Sequence, residues 1–454
     1  MYLTDTIAAI STPHGKGGVA LIRISGEKAL EIAGRVFVPF GAKSLESAPR
    51  TQVYGAFTAD DGEFDDGLAC YFKAPGSFTG EDVVELCCHG GVYCTQKLLS
   101  ACLAAGARYA MAGEFTKRAF TNGKLTLTEA EAIGNIIDAR TDAGLKVSLL
   151  QSRGRLSQSL KKIYDDLSLT AASAYAYIDY PTEDLTELTS EQMLQKLHSA
   201  RDTLSKLCST HKYGLAISEG IKTAIVGKPN VGKSSILNRL SGEDRAIVTP
   251  IAGTTRDVVT ASVRVGDVIL ELSDTAGIRD SDDIIEAIGV KKSIEAIKNA
   301  ELILAVFDAE AGITEQDKEI IDYIASAGMN SSVIAIINKS DIATADIKLP
   351  FERMISYSAI TGEGEALLEN AIYDFVGAHD INGGDIILGA RQYAAAKNAL
   401  SEINEAINAL CDGFTTDIAL MNIESAMQYL GEMDGREVSQ KIVDDIFSHF
   451  CVGK

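Results

Sequence analysis

The first third of the chain alternates short apolar runs with two amphipathic stretches. Runs of four to eight apolar or alternating residues predict strands, and they occur at TIAAIST, GGVALIRIS, TQVYGAFT, GLACYFK and DVVELCC. Helical spacing predicts helices around EKALEIAGRVF and GVYCTQKLLSACLAAG. We therefore expect residues 1–120 to form an α+β domain.

From Leu125 to about Ala216 the apolar residues follow helical spacing instead. One stripe consists of Leu156, Leu160, Ile163, Leu167, Ala171, Ala174 and Ile178. After a break at 181–184, the stretch EQMLQKLHSARDTLSKL predicts a further helix. Beyond a glycine-containing linker, INGGD, helical spacing returns, with an apolar face made by Tyr393, Ala396, Leu400, Ile403, Ile407 and Leu410.

A segment with a different pattern separates these helical stretches. Apolar, partly β-branched runs predict buried strands at IKTAIV, LELS, SSVIAII and ERMISYS, and SILNRL begins a helix. The apolar stripes on either side lack partners in their own segments, so we expect them to pack together. The predicted fold is an α/β domain with a mostly parallel sheet (217–378), inserted into an all-α domain (121–216 and 379–454) and preceded by the α+β domain (1–120).

Composition narrows the class of protein without fixing its function. The chain has 454 residues, of which 46% are hydrophobic, enough for several cores. No apolar run is long enough to span a membrane, and the N-terminus lacks the basic region of a secretion signal, so we expect a cytoplasmic protein. A formal charge of −21 disfavours a surface coated with nucleic acid, but leaves room for a local basic patch.

The eight cysteines are scattered and lack paired Cys-x-x-Cys spacing, which suits reduced thiols. Cys87, Cys88, His89 and Cys94 lie close together in the sequence and raise the question of zinc. Their spacing differs from that of common structural zinc sites, and ELCCHG is explained more simply as a strand that runs into a glycine turn. We therefore expect no metal there.

The stretch 227-GKPNVGKSS-235 has the chemistry of a phosphate-binding loop. Gly227 and Gly232 allow the backbone to direct successive N–H groups at phosphates, and the following helix adds its positive end. Lys233 supplies a point charge, and Ser234 offers a hydroxyl ligand for Mg²⁺. The predicted strand before the loop and helix after it are the context that this motif requires.

Three further motifs follow in the order expected of a GTP-binding domain. In 274-DTAG-277, Asp274 can hold Mg²⁺ through water and Gly277 can donate its N–H to the terminal phosphate. In 338-NKSD-341, the Asp341 carboxylate can accept hydrogen bonds from the ring N–H and the amine of guanine, which adenine does not present as a pair. Ser358 and Ala359 suit a backbone contact to the guanine carbonyl.

Together these motifs, with 249-TPIAGTTRD-257, GEFTKRAF, SFTGEDVVEL and the terminal 451-CVGK-454, resemble the MnmE/TrmE family of tRNA-modification GTPases over essentially the whole chain. The resemblance implies a homodimer that, with an FAD-dependent MnmG/GidA-type subunit in a heterotetramer, modifies carbon 5 of the wobble uridine of certain tRNAs. It implies a folate carrying one carbon, of the 5,10-methylenetetrahydrofolate or 5-formyltetrahydrofolate type.

The resemblance also implies the site residues. Those for GTP are Asn230, Val231, Gly232, Lys233, Ser234, Ser235, Thr249, Pro250, Ile251, Ala252, Gly253, Thr254, Thr255, Asp274, Thr275, Ala276, Gly277, Asn338, Lys339, Asp341, Ser358 and Ala359. Those for folate are Arg23, Glu85, Lys124 and Lys454. Each folate residue has a plain alternative in the sequence, as a surface charge or a turn residue.

GTP hydrolysis by this chain would require catalytic residues other than those that many small GTPases use. Many small GTPases orient water with a glutamine after the Asp-x-x-Gly motif and use an arginine finger, but here that position is Ile278, which cannot hydrogen-bond to water. The resemblance implies that K⁺ replaces the arginine and that Glu286 orients the water, although Glu286 by itself could be an ordinary surface acid. The implied ligands are Asn230, Thr249, Ile251 and Thr254 for K⁺, and Ser234 and Thr255 for Mg²⁺.

The terminal Cys451 is a candidate for a catalytic role, whether as a nucleophile, a positioning group or a passive thiol. Two other functions compete with the one that the resemblance implies: a GTPase that serves ribosome assembly, and a GTP-dependent interaction switch without modification chemistry of its own. Binding of a one-carbon folate would argue against both.

Overall fold

The structure, a computed structural model of the chain, describes residues 5–179, 190–240, 246–247, 261–272, 294, 296–343, 347–378 and 385–453. The chain divides into two compact units, which are described separately below. The first comprises residues 1–134, 152–164 and 428–454, and the second comprises residues 135–151 and 165–427. The four domain boundaries given above stay predictions.

The strands are β1 (Ile7–Ile10), β2 (Val19–Ser25), β3 (Phe37–Pro39), β4 (Val53–Ala59), β5 (Gly62–Phe72), β6 (Val83–His89), β7 (Arg108–Tyr109), β8 (Ile221–Val226), β9 (Ala246–Ile247), β10 (Ala261–Val265), β11 (Val268–Leu272), β12 (Leu302–Asp308), β13 (Val333–Asn338) and β14 (Arg353–Ser356). The helices are α1 (Ala29–Val36), α2 (Val92–Ala104), α3 (Glu114–Thr121), α4 (Leu127–Asp138), α5 (Asp142–Ser152), α6 (Arg155–Asp179), α7 (Ser190–Ser209), α8 (His211–Ser218), α9 (Lys233–Leu240), α10 (Glu315–Ser326), α11 (Glu365–Val376), α12 (Ala390–Cys411), α13 (Thr416–Asp434) and α14 (Gln440–Ser448).

The first unit contains a sheet in the order β3-β4-β5-β6-β2-β1-β7, antiparallel except for the β1–β7 pair. Strands β2 and β6 alternate buried and more exposed residues because α1 and α2 cover one face of the sheet, whereas all four residues of β1 are buried. Ile22, Ile24 and Leu86 point into that core, where they meet Leu98 of α2. The predicted α+β domain is confirmed. The short strands β3 and β7 and the helix α3 were not predicted.

The chain's C-terminal segment belongs to the first unit. Val443 and Phe447 of α14 pack with Leu127 and Ala130 of α4. The tail then lies beside β1, where the Ser11 hydroxyl donates to the Gly453 carbonyl at 2.9 Å. Gly453 has a φ of +95°, and a Cβ there would lie 2.2 Å from the Ile10 carbonyl oxygen, so the tail requires glycine at this position.

The second unit contains a sheet in the order β14-β13-β12-β8-β11-β10-β9. The five strands from β14 to β11 are parallel, whereas β10 and β9 add antiparallel edges. The central strand β12 is buried along its whole length, as expected of a parallel strand covered on both faces. The four predicted strands of this segment are confirmed as β8, β11, β13 and β14. Strand β12 was not predicted.

Helices from both sides of the α/β segment pack together in the second unit. Helix α12 packs against α7, so helical stretches from the two sides of the α/β segment meet, as expected of an inserted segment. The main helical partner of α12 is α7, however, and not the α6 stripe that was expected from the sequence to pack with it. The apolar stripe of α6 is buried from Leu156 to Ala174, but Ile178 is 46% exposed. The inclusion of Ile178 in the buried stripe was therefore wrong, because spacing alone does not show where a helix extends beyond its packing partners. In the part of the chain that the structure describes, no helix is long and apolar enough to cross a membrane.

Candidate functional site

The phosphate-binding loop has the strand, turn and helix that the sequence predicted. Strand β8 ends at Val226, residues 227–232 form the loop, and α9 begins at Lys233. The second residue of the loop, Lys228, pairs with Asp317 of α10 at 2.9 Å. This pair ties the loop to a second helix besides α9.

Two glycines of the loop are required by close approach as well as by their backbone angles. Gly227 has a φ of +152°, and a Cβ there would lie 2.4 Å from the Val306 carbonyl oxygen of β12. Gly232 has a φ of +94°, and its Cβ would lie 2.2 Å from Asn338 Nδ2. A side chain at either position would push the loop off its neighbouring strand.

The Lys233 ammonium group lies inside the loop. It donates to the carbonyl oxygens of Gly227 at 2.8 Å and of Lys228 at 2.7 Å. Burial lowers the pKa of Lys233 to about 8, because a charged ammonium is poorly solvated there. A triphosphate would supply the negative charge that this buried cation needs.

Asn338, the first residue of the 338-NKSD-341 motif, joins three motifs of the sequence. Its Nδ2 donates to the Val231 carbonyl oxygen of the phosphate-binding loop at 2.7 Å. Its Oδ1 accepts from the Ala359 backbone N–H at 3.0 Å. Asn338 is 3% exposed, so both bonds are shielded from water. The structure therefore brings together motifs that are separated by more than a hundred residues.

The remaining residues of this motif have distinct surroundings. Lys339 has a φ of +67° and its ammonium lies 2.6 Å from Asp308 Oδ2. Burial would raise the pKa of Asp308, but hydrogen bonds from Lys339 and from the Glu310 and Ala311 backbone outweigh it and lower the pKa. Asp341 is exposed. Its carboxylate is therefore accessible to a base, as the guanine hypothesis requires.

The loop after β14 is folded by its own hydrogen bonds. Ser358 is fully buried, and its hydroxyl accepts from the Thr361 N–H at 3.1 Å. Arg239 of α9 donates to Glu365 Oε2 at 3.1 Å. The loop that carries Ser358 and Ala359 is thus anchored beside the helix that follows the phosphate-binding loop.

Two acidic residues that were not predicted from the sequence hold the cationic side chains of this region. Asp308, at the end of β12, pairs with Lys339, and Asp317, in the first turn of α10, pairs with Lys228. Asp317 is 1% exposed and also accepts from the Thr314 N–H and hydroxyl. Asp308 could have been found, since it ends an apolar run, LILAVFD, at the carboxyl edge of a parallel strand.

Several predicted residues lie outside the part of the chain that the structure describes. They are Thr249, Pro250, Ile251, Ala252, Gly253, Thr254, Thr255, Asp274, Thr275, Ala276, Gly277, Glu286 and Lys454. Asn230, Ser234 and Ser235 are described and exposed, and Val231 is buried. Asn230 has a φ of +63°, a backbone conformation in which asparagine is tolerated better than most residues.

A second candidate site lies on the open face of the first unit's sheet. Arg23 of β2 stands opposite Glu85 of β6 in the register. The guanidinium donates to Glu85 Oε1 from Nη2 at 2.8 Å and from Nε at 3.0 Å. It also lies 5.7 Å from the ring centroids of Phe78 and of Phe115. Both charged side chains are partly exposed, so the pair is open to a ligand beside two aromatic rings.

The other predicted residues of the first unit lie on separate segments. Lys124 donates to the Pro75 carbonyl oxygen at 3.0 Å, so it contacts the loop that also carries Phe78. Cys451 is exposed in the C-terminal tail, and its carbonyl oxygen accepts from the Gly113 N–H at 3.3 Å. The structure brings Arg23 and Glu85 into direct contact. Lys124 instead contacts the 73–82 loop, and Cys451 lies in the C-terminal tail.

Comparisons with known proteins cover the chain from end to end. The family model of the GTP-binding protein TrmE N-terminus matches residues 6–124, and that of the MnmE helical domain matches residues 127–451. The tRNA modification GTPase MnmE of Clostridioides difficile is 39% identical over 466 residues, which is 100% of both chains. The chain belongs to the MnmE family. The MnmE proteins of Lactococcus lactis subsp. cremoris (40% identical, over 99% of this chain and 98% of that one) and Geobacillus thermodenitrificans (39%, over 99% of each) are similar at the same level.

The solved structures that resemble the chain match it only in part. A variant of Era from Aquifex aeolicus bound to GDP.AlF4- is 30% identical, over 40% of this chain and 65% of that chain, with a TM-score of 0.27. At that score the likeness carries no argument about the site. The assignment to the MnmE family therefore depends on the full-length sequence matches and on the two family models.

Proposed function

We infer that the chain is a GTP hydrolase that acts in tRNA modification. Its membership in the MnmE family supports this function. One structural observation supports the nucleotide site most strongly: the side-chain amide of Asn338 hydrogen-bonds to the backbone of both Val231 and Ala359. These bonds join the phosphate-binding loop, the 338-NKSD-341 motif and Ala359, which supports assigning one nucleotide-binding space to all three.

Within that space we assign each residue a role by its chemistry. The loop N–H groups and Lys233 bind the phosphates, and the Ser234 hydroxyl, which is exposed at the start of α9, is suited to Mg²⁺. The Asp341 carboxylate accepts from guanine. The backbone at Ser358 and Ala359 is assigned to the guanine carbonyl, and a bound base would have to share or replace a present bond, since the Ala359 N–H donates to Asn338 Oδ1 and the Ser358 N–H to the Glu363 carbonyl. Asp274 and Gly277 are assigned to the Mg²⁺ ion and the terminal phosphate, and Thr255 completes the Mg²⁺ ligands with Ser234.

The proposed K⁺ site includes Asn230, an exposed residue of the phosphate-binding loop whose backbone has a positive φ. An amide oxygen is a hard ligand, which suits a potassium ion. When bound, K⁺ would supply the positive charge that an arginine finger supplies elsewhere. Thr249, Ile251 and Thr254 contribute the other oxygens. Glu286 orients the attacking water, because Ile278 cannot.

The Arg23–Glu85 pair suits the pterin end of a one-carbon folate. Both guanidinium bonds go to Glu85 Oε1, so Oε2 is available to accept from the amino-pyrimidine edge of a pterin. The Phe78 and Phe115 rings offer apolar surface beside it. Lys124 and Lys454 suit the anionic glutamate tail, and Cys451 is the candidate for a role near the substrate.

The finer parts of the function extend this proposal. The chain acts as a homodimer with an FAD-dependent MnmG/GidA-type subunit, and the reaction installs an aminomethyl-type group at carbon 5 of the wobble uridine. These parts rest on family membership and on the fit of the Arg23–Glu85 pair to folate. Calorimetry with 5-formyltetrahydrofolate tests that fit. Arg35→Ala, which removes an arginine away from the pair, is the matched control for a substitution of Arg23.

Mass spectrometry of tRNA tests the function as a whole. Cells that lack this protein should lose the wobble-uridine modification and regain it with the wild-type chain. Lys233→Ala should not restore it, whereas Lys222→Ala, which removes an exposed lysine from β8, should. An unchanged modification level in cells without the protein would overturn the proposal.

A further inference from the structure

Five polar side chains of the first unit converge where β5 and β6 meet the start of α2. They form two triads that share Asp65: one with Cys88 and Cys94, the other with Asp66 and His89. Within each triad the candidate ligand atoms all lie within 4.8 Å of one another. Cys94 Sγ donates to Asp65 Oδ2 at 2.8 Å, and His89 Nδ1 lies 2.7 Å from Asp65 Oδ1.

The fold explains why these residues meet. Successive side chains of β6 point to opposite faces of the sheet, so Cys88 faces the core with Leu86, while Cys87 points to the other face. Cys94 lies in the first turn of α2 and packs against the same core. The chain turns back between the strand and the helix at residues 90–91. Asp65 is contributed by β5, the strand beside β6.

The donor set is chemically selective. Two thiolates favour zinc over magnesium or calcium, which prefer ligand sets made of oxygen alone. The Asp65 side chain is 10% exposed, and its hydrogen bonds come from the Cys94 thiol and from the ring and backbone N–H of His89. A carboxylate that is shielded from water among two thiols and an imidazole is a better metal ligand than a surface acid.

We propose that Asp65, Cys88 and Cys94 bind one Zn²⁺ ion and leave its fourth position to water. Cys88 is buried and Cys94 half-buried, so both are fixed by packing. His89 belongs to the other triad, and its Nδ1, 2.7 Å from Asp65 Oδ1, would orient the carboxylate without being a ligand. The ion would fasten β5 and β6 to the start of α2. Two residues from the start of α2, Val92 and Thr95, line a cavity of about 290 Å³, so the ion would also fix one wall of this cavity.

This proposal departs from the expectation, drawn from the sequence, that no metal binds here. Spacing along the chain grouped Cys87 with Cys88, His89 and Cys94, and that set fits no common zinc pattern. The structure removes Cys87 and His89 from the set and adds Asp65 from a neighbouring strand. The site could not be recognised from sequence spacing because one ligand comes from β5 and the strand alternation excludes two of the four clustered residues.

Cobalt substitution tests the site directly on the full-length protein. The chain is stripped of metal with a chelator under reducing conditions and titrated with Co²⁺, whose thiolate complexes absorb in the near ultraviolet. We expect one equivalent to bind with this absorption and to be displaced by one equivalent of Zn²⁺. Cys94→Ser should abolish the absorption, and Asp65→Asn should weaken Zn²⁺ binding by about ten-fold or more.

Cys87→Ser is the matched control, because it removes the adjacent thiol from the other face of the same strand. It should leave the absorption and the stoichiometry unchanged. Thermal unfolding gives a second readout: Zn²⁺ should raise the unfolding temperature of the wild type and of Cys87→Ser, but not of a folded Cys94→Ser. Equal loss in Cys87→Ser, binding that survives in Cys94→Ser, or recovery of Cys88 and Cys94 as a disulfide without metal binding would each overturn the proposal.

Discussion

The nucleotide site of the second unit and the Arg23–Glu85 site of the first are built by different means. The nucleotide site is assembled from loops at the ends of parallel strands, and a buried amide, Asn338, ties them together. The Arg23–Glu85 site lies in the middle of an antiparallel sheet, where the register places two side chains opposite each other.

This difference determines whether each site can be recognised from the sequence. Loops that bind phosphates need glycine at fixed positions, as the positive φ angles of Gly227 and Gly232 show, and such constraints leave a local motif in the sequence. A cross-strand pair needs only the correct register, which leaves no local motif. We also expect changes at the nucleotide site to have large effects on function, and changes at the Arg23–Glu85 site in the sheet to have smaller ones.

Removing the phosphate-binding cation should have the largest effect. Lys233→Ala should lower GTP hydrolysis by at least about 10²–10³-fold, the typical loss on removing one hydrogen-bond donor that stabilises charge in a transition state. Lys222→Ala, on the strand that leads into the loop, should hydrolyse GTP at the wild-type rate. Hydrolysis by Lys233→Ala within a few-fold of the wild type would remove the loop from the mechanism.

Removing the amide that joins the motifs should come next. Asn338→Ala leaves the Val231 carbonyl and the Ala359 N–H without their partner, at a cost of about 1–3 kcal/mol for buried groups. We expect GTP affinity to fall by a corresponding factor while the unit stays folded. Asn404→Ala, at an exposed position of α12, is the control in titrations of the nucleotide. Unchanged affinity in Asn338→Ala would show that the motifs assemble without this bridge.

The pH dependence of binding should show a smaller effect with a defined sign. The pKa of Lys233 is lowered by burial to about 8, and bound phosphates favour its charged form. Above pH 8, GTP binding must therefore be accompanied by proton uptake, so affinity should fall by about ten-fold between pH 7 and pH 9. Calorimetry in buffers of different ionisation heat would detect the proton. An affinity that is constant over this range would contradict the proposed role of burial.

The sheet site should give the smallest effect. Glu85→Gln keeps the shape of the side chain but replaces a charged acceptor by a neutral one, which weakens a hydrogen bond by about 1 kcal/mol. We expect the affinity for 5-formyltetrahydrofolate to fall about five-fold, with GTP hydrolysis unchanged. Glu63→Gln, an exposed acid at the start of β5, should bind as the wild type does. A loss of GTP hydrolysis in Glu85→Gln would mean that the two sites are not independent.

The sequence predicted elements whose cause is local and missed those whose cause is tertiary. The strand IKTAIV, the loop and the following helix are specified by residues next to one another, so they could be predicted. The pairing of Lys339 with Asp308 was missed because the apolar run that forms β12 was not recognised as a strand, and its position beside β13 is a tertiary feature. Ile178 kept helical spacing beyond the packed part of α6. The Asp65 cluster depends on which strand lies beside β6, and register cannot be deduced from one strand alone.

Competition between nucleotides tests the central claim, that Asp341 selects guanine at the site organised by Asn338. A fluorescent GDP analogue bound to the purified chain is displaced with GTP, ATP or xanthosine triphosphate, for the wild type and for Asp341→Asn. We predict a preference of the wild type for GTP over ATP on the order of 10⁴. In Asp341→Asn the preference should shift toward xanthosine triphosphate, whose carbonyl can accept from the new amide. Displacement by ATP as effective as by GTP, or an unchanged ranking in Asp341→Asn, would contradict the claim.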